Sequence, residues 1–272
     1  MTVRNSWIRA TLLVTAAVIT PASVVVAESA RDVLQAAVER NDKRLKGIEN
    51  FTVVQEVMGF EVTSYYEVRS VNGHSVAVAK DDSADEMAMP YAHFSEMAEH
   101  AHLQGTETID GRKCYAIRVD DLSRFDLDPE VGEEASDFRP TRGTFYLDRE
   151  EYLLRKMEIE GEADHEGETV PVTMQMVLTD YRKIDGLVHP FVTEMAVRGL
   201  TSGLSAEEMA EARESLAAMK EKMADMPEDQ REMMTAMMGE QMGRLEEMVN
   251  TGEMKMTMQV KEVRVNQGAP KE

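Results

Sequence analysis

Three dipeptides, Asn72-Gly73, Asp110-Gly111 and Asp185-Gly186, punctuate this chain, and each lies between runs that alternate apolar and polar residues. An Asn-Gly or Asp-Gly pair tolerates positive φ at both central turn positions, which is what a two-residue β-hairpin demands. Alternation with a period of two places one face of each run on a core. Strands joined by such tight turns are antiparallel neighbours. A long series of them builds a sandwich or a curved, barrel-like sheet.

The runs can be followed along the chain. Phe51 to Val57, Val62 to Val71 and His74 to Ala79 come first. Leu103 to Ile109 and Cys114 to Val119 flank the second Asx-Gly turn, and Thr144 to Leu147 faces Leu153 to Glu160 across Asp148-Arg149-Glu150-Glu151. Val170 to Tyr181 and Leu187 to Val197 flank the third turn, and Met254 to Val265 closes the series. The sum is roughly nine or more strands, nearly all on short connections. Two acidic stretches break the alternation: Lys80 to His102, read as holding a short helix, and Asp120 to Arg142, read as a surface loop or short helix.

Two segments follow a helical period instead. In Ser29 to Lys46, Val33, Ala36, Ala37, Val38 and Leu45 recur near helical spacing, and Gly47 follows as a helix-ending glycine. Between the last two strands lies an insertion, residues 200–252. Ser205 and Glu208 make a capping-box pattern, a helix runs on to about Ala224, and Pro227 starts a second that reaches about Val249. The spacing predicts a helical hairpin set into a β-hairpin connection.

The first residues read as an export signal. Arg4 and Arg9 precede an apolar run from Ala10 to Ile19, Pro21 breaks it, and Val25-Val26-Ala27 has the small or β-branched residues of a cleavage site. The run is shorter than the ~20 residues of a spanning helix. Cleavage after about Ala27 would leave a mature domain over 28–272, with no cysteine to carry a lipid anchor and no stable membrane insertion. The whole chain has 272 residues and a net charge of −21, and losing Arg4 and Arg9 makes it two charges more negative. Such a surface repels nucleic acid and anionic headgroups, which excludes a nucleic-acid partner. Cys114 is the single cysteine, so the core alone must hold the fold.

Several hairpins resemble those of one family. Gly105-Thr106-Glu107-Thr108-Ile109-Asp110-Gly111-Arg112-Lys113-Cys114-Tyr115 is similar to its G-x-E-x-hydrophobic-x-G-x-x-C/A-Y hairpin. Gly143 to Lys156 is similar to its hydrophobic-aromatic-hydrophobic-D-x-x-x-hydrophobic-hydrophobic hairpin. Asp180-Tyr181-Arg182-Lys183-Ile184-Asp185-Gly186-Leu187-Val188-His189-Pro190 is similar to its D-Y-x-x-hydrophobic-D-G-hydrophobic-x-x-P motif, and Val260 to Asn266 to its terminal strand. The family is that of the LolA-like outer-membrane lipoprotein-sorting proteins. The resemblance runs from Ser29 to Asn266 except for the helical insertion, which departs from the family pattern. It implies a mainly β, α+β fold: a curved, unclosed antiparallel barrel with helices over its mouth. It also implies a hydrophobic cavity that takes acyl chains of a lipid or lipoprotein, non-enzymatically and without a cofactor, in a bacterial periplasm, with full secretion as the other location.

On that resemblance, the apolar strand faces that could line a cavity carry Phe51, Val53, Tyr66 and Val68 near the start, Phe145 and Leu147 in the middle, and Met174, Met176 and Leu178 further on. A packed core is the other reading of each. Methionine adapts to ligands of varied shape because its unbranched chain repacks easily. The insertion is rich in it: Met219 and Met223, then Met234, Met238 and Met242, recur four apart on helix faces. Three readings stay open there: stripes that pack together or on the sheet, a lid or arm that docks an envelope protein, and soft-metal capture of Cu(I) by thioethers. His93, Met97, His100 and His102 raise the metal reading again, but without a thiolate or a dedicated zinc spacing. No nucleophile elbow, phosphate loop or H-E-x-x-H motif is present, so no catalytic residue is assigned. Asp148 and Asp180 at strand ends fit turn chemistry.

Overall fold

The structure is a computed structural model that describes residues 28–80, 90–125, 138–165, 168–199, 201–202 and 206–269. The stretch read as an export signal, parts of both acidic stretches and Ser205 of the capping pattern lie outside the described residues.

Among the described residues ten strands form one sheet, β1 Asn50–Val57, β2 Phe60–Val71, β3 His74–Ala79, β4 Ala101–Ile109, β5 Arg112–Val119, β6 Arg139–Asp148, β7 Leu154–His165, β8 Glu168–Ile184, β9 Leu187–Arg198 and β10 Glu253–Val265. Their order is β3-β2-β1-β10-β9-β8-β7-β6-β5-β4. Every neighbouring pair is antiparallel. The sheet does not close: β3 and β4 are its two edges. The fold class is therefore mainly β, a curved unclosed antiparallel sheet, as read from the sequence.

The Asx-Gly turns work as their chemistry requires. Asn72-Gly73, Asp110-Gly111 and Asp185-Gly186 all have positive φ at both residues. A fourth turn of this kind, Met58-Gly59 (φ 55° and 83°), joins β1 to β2 and carries no Asx signal. One pairing is not local. β1 lies against β10, with Phe51 opposite Val265, so the first strand and the last meet in mid-sheet. Asn266 fixes that junction: its Oδ1 accepts the Glu49 N–H at 2.8 Å and its Nδ2 donates to the Gly47 carbonyl at 3.0 Å.

Two helices occupy the concave side. α1, Ala30–Leu45, begins at Ser29, whose hydroxyl accepts the Asp32 N–H while Asp32 accepts the Ser29 N–H, a reciprocal cap. α2, Tyr91–Met97, lies on the passage from edge β3 to edge β4. α1 packs on α2, β3, β4 and β9, so it fills the gap between the two edges. Val33, Leu34, Ala37 and Val38 of α1 and Phe94 and Met97 of α2 join Ile117, Phe145, Leu147 and Leu154 of the sheet in the main core. A second core, around Phe51, Val53, Leu187, Phe191, Val260 and Val265, lies under the end of α1.

Two further helices, α3 Ala206–Ala224 and α4 Glu228–Thr251, form a hairpin between β9 and β10. α3 packs on α4, and α4 on β10. Gly252 caps α4 in the left-handed conformation at φ 70°.

Several strand limits differ from the sequence reading, those of β6 and β7 among them. β6 starts at Arg139, inside the stretch read as loop, and β7 runs on to His165. The added residues pair with each other, Arg139 opposite Glu162, across an irregularity between Pro140 and Arg142. Proline and charge hide such a strand from the alternation test, and only the partner strand supplies its reason to extend.

Candidate functional site

Between the end of α1 and the concave face of the sheet lies a cavity of about 150 Å³, open on one side. α1 contributes Asn41, Arg44 and Leu45 to its wall. β1 to β3 contribute Phe51, Gln55, Tyr66, Val76 and Ala77. Tyr91 of α2 and Leu153 before β7 also line it. From the other half of the sheet come Met176, Leu178 and Tyr181 of β8, residues around His189 of β9, and Met258 of β10.

Phe51 and Tyr66, cross-strand partners on β1 and β2, stack with ring centroids 4.8 Å apart and planes 13° apart. The His189 ring meets Phe51 edge-on at 6.1 Å. Such aromatic pairs add directional packing to an apolar wall. His189 Nδ1 lies 2.6 Å from the Pro190 carbonyl, which can only accept, so Nδ1 carries the hydrogen. Burial holds the imidazole below its usual range.

Two irregularities aim these side chains. Asp180 has φ 49°, and the ladder passes from Thr179–Val192 to Tyr181–Pro190 around it. Leu178 and Tyr181, three residues apart, thereby both reach the cavity. On β10 the register shifts at the Val54/Gln55 step, from Glu262 to Val260, so Lys261 is an extra residue. Val260 and Val265 consequently share one core although a regular strand would put them on opposite faces.

Beside the cavity lies a buried polar cluster. Arg155 Nε meets Asp148 Oδ2 at 3.0 Å, and the guanidinium sits over the Tyr181 ring at 4.5 Å. The Leu154 N–H donates to Tyr91 Oη at 2.9 Å, and the Tyr181 hydroxyl donates to the Leu154 carbonyl. Burial raises both phenols above their usual range. Asp148 Oδ1 also accepts the N–H groups of Glu150 (3.2 Å) and Glu151 (2.6 Å), the turn chemistry read from its position.

The residues singled out from the sequence divide. Phe51, Tyr66, Met176 and Leu178 line the cavity. Val53 is buried in the core beneath it, with Val68 packed against that core. Phe145 and Leu147 are buried under α1 and α2. Met174 is half-buried between the main core and a satellite cluster with Val172 and Val197. In the helical hairpin Met242 is buried, Met223 and Met234 are half-buried, and Met219 is exposed. Met238 lies on α4, its side chain outside the described set. Among the described residues none of α3 or α4 lines the cavity. The cavity lies toward the β8–β9 turn, whereas the hairpin springs from the opposite ends of β9 and β10. The His and Met of the α2 region do not converge either: Met97 is wholly buried in the core, and His93 sits 3.6 Å from Glu96. Among the described residues no group of three or more His, Cys, Asp or Glu is placed to hold a metal ion.

Sequence reasoning missed Arg44, Gln55, Tyr91, Tyr181, His189 and Met258 as wall residues. Tyr181 and His189 were in view within the D-Y…H-P motif. Strand parity could not place Tyr181, because the left-handed Asp180 resets it.

No family model matches the chain, and no curated protein matches it. Solved structures of similar course exist. A DUF1329 family protein from Desulfovibrio piger is 11% identical, with 89% of this chain and 95% of that chain covered, at a TM-score of 0.38. A domain assigned to outer membrane lipoprotein sorting, from Vibrio parahaemolyticus, gives the same figures. A LolA superfamily protein from Nitrosomonas europaea is 10% identical over 87% of this chain and 94% of that one, at a TM-score of 0.32. By its own geometry this chain is an open antiparallel sheet wrapped on a helix, with an apolar cavity between the two.

Proposed function

We propose that this protein is an exported, non-enzymatic carrier or sensor that takes acyl chains of a lipid or lipoprotein into the cavity under α1. The observation that carries the reading is the wall itself: Phe51, Tyr66, Met176, Leu178 and Met258 line a space open on one side, between an unclosed sheet and a helix. An apolar cavity with few polar groups is the usual form of a small-molecule site. At about 150 Å³ it is smaller than the ~300–1,000 Å³ common for such sites. It therefore receives one chain end rather than a whole lipid, and Met176 and Met258 are the walls that repack most easily. The hairpin resemblance to LolA-like proteins and the export signal point the same way, to a soluble carrier in a bacterial periplasm. No helix among the described residues is long and apolar enough to cross a membrane.

Native mass spectrometry of the processed protein purified from a bacterial periplasm tests this. Bound lipid masses are the expected result. Protein that is consistently lipid-free and takes up no fluorescent fatty acid overturns it.

A second reading has its own support. The α3–α4 hairpin packs on β10 through α4, and it exposes Met219 and Leu245. That suits an arm that docks an envelope protein. Deleting residues 206–251 should then remove a captured partner and leave the cavity's ligand in place.

A further inference from the structure

The wall of the cavity has a charge pattern at odds with the rest of the chain. Asp and Glu supply 51 of the 272 residues, yet among the described residues none of the nineteen in the wall is acidic. Arg44 is there instead, with the neutral polar groups of Asn41, Gln55 and Thr193. Arg44 is also incompletely satisfied. Its Nη2 donates to the Glu151 carbonyl, but its Nη1 is buried without a hydrogen-bond partner. Among the described residues Arg44 makes no ion pair, whereas the nearby Arg155 is matched by Asp148. A buried guanidinium nitrogen with no acceptor is costly, and an anion brought by a ligand would offset that cost. Three other polar groups of the wall have partners: Asn41 Nδ2 donates to the Ser75 carbonyl, and Tyr91 and Tyr181 are bonded to Leu154.

We infer that the cavity selects a single-chain amphiphile with a carboxylate head, a free fatty acid, whose head is bound by Arg44 of the wall while its tail lies against Phe51, Met176 and Leu178. A planar carboxylate suits a guanidinium better than a bulky or neutral head does. The inference rests on the acyl-chain reading above and adds the head to it.

Calorimetric titration of the full-length processed protein, stripped of lipid, with decanoate, decanol and decyl phosphate separates the two. Decanoate should bind about tenfold or more tighter than decanol, the worth of one charge-assisted hydrogen bond. Arg44→Met should bring decanoate down to the level of decanol and leave decanol unchanged, and Arg44→Lys should restore part of the difference. Equal binding of acid and alcohol by the wild type overturns the head assignment and leaves the acyl-chain reading standing. Tighter binding of decyl phosphate than of decanoate overturns the carboxylate. Binding of none of the three overturns both readings. The wild-type ratio decides the matter even if Arg44→Met does not fold.

Discussion

Asp148 and Arg155 form an ion pair at 3.0 Å with side chains only 2% and 8% exposed, inside the hairpin that joins β6 to β7. The same carboxylate ties two turn amides, and the same guanidinium lies on Tyr181 of the cavity wall. One turn aspartate thus connects a hairpin to the site.

Replacing Asp148 with Ala should be severe. It strands a buried guanidinium and frees two turn N–H groups, at about 3–5 kcal/mol by comparison with other broken buried pairs. Breaking the exposed pair Arg31–Glu99, at 59% and 70% exposure, should cost no more than ~1 kcal/mol. Urea unfolding of both variants measures the contrast. Equal losses would show that burial is not what makes Asp148 matter.

Cys114 should be inert in the folded protein. Burial and the nearby Asp148 charge push its thiol up to about 11. At pH 8 it should resist iodoacetamide and become reactive only on unfolding. Because the folded value lies above the unfolded one, its contribution to stability is complete below about pH 9 and is lost as the pH rises toward 11. Alkylation timed against denaturant concentration checks the first point, and melting temperatures between pH 8 and pH 11 check the second.

Filling the cavity should separate binding from folding. Met176 is buried at its wall. Met176→Trp should occupy space the ligand needs, with an overpacking cost of about 1–3 kcal/mol. Loss of fatty-acid uptake with a cooperative melt retained is the expected pair of results. Uptake at wild-type level would place the ligand elsewhere.

The α3–α4 hairpin should be dispensable for the sheet. Arg198 and Glu253 are already direct partners across β9 and β10, and they are joined by a 2.8 Å ion pair. Joining them through a short Asn-Gly turn should preserve the β-sheet circular dichroism and a cooperative melt. A molten product would mean that α4 packing on β10 is needed for the fold.

The sequence by itself determined where most of the strands lie, the turns at Asn72-Gly73, Asp110-Gly111 and Asp185-Gly186, and the antiparallel pairing across each of those turns. These are local matters. Asn72-Gly73 and Asp185-Gly186 set turn geometry within two residues, and the alternation from Val170 to Leu178 sets one face of β8 whatever lies opposite. Tertiary structure alone decided three things. β1 meets β10 rather than an edge, because that pairing joins residues more than two hundred positions apart and no local signal encodes it. Phe145 and Leu147 went to closed core while Phe51 and Met176 faced open space, because α1 covers one part of the concave face more tightly than the other. Arg44 came to the cavity wall with no ion pair among the described residues, because its surroundings are assembled from α1, the β6–β7 turn and β9. Burial and charge pairing depend on what the folded chain brings from afar, and a periodic pattern records only which way a side chain points.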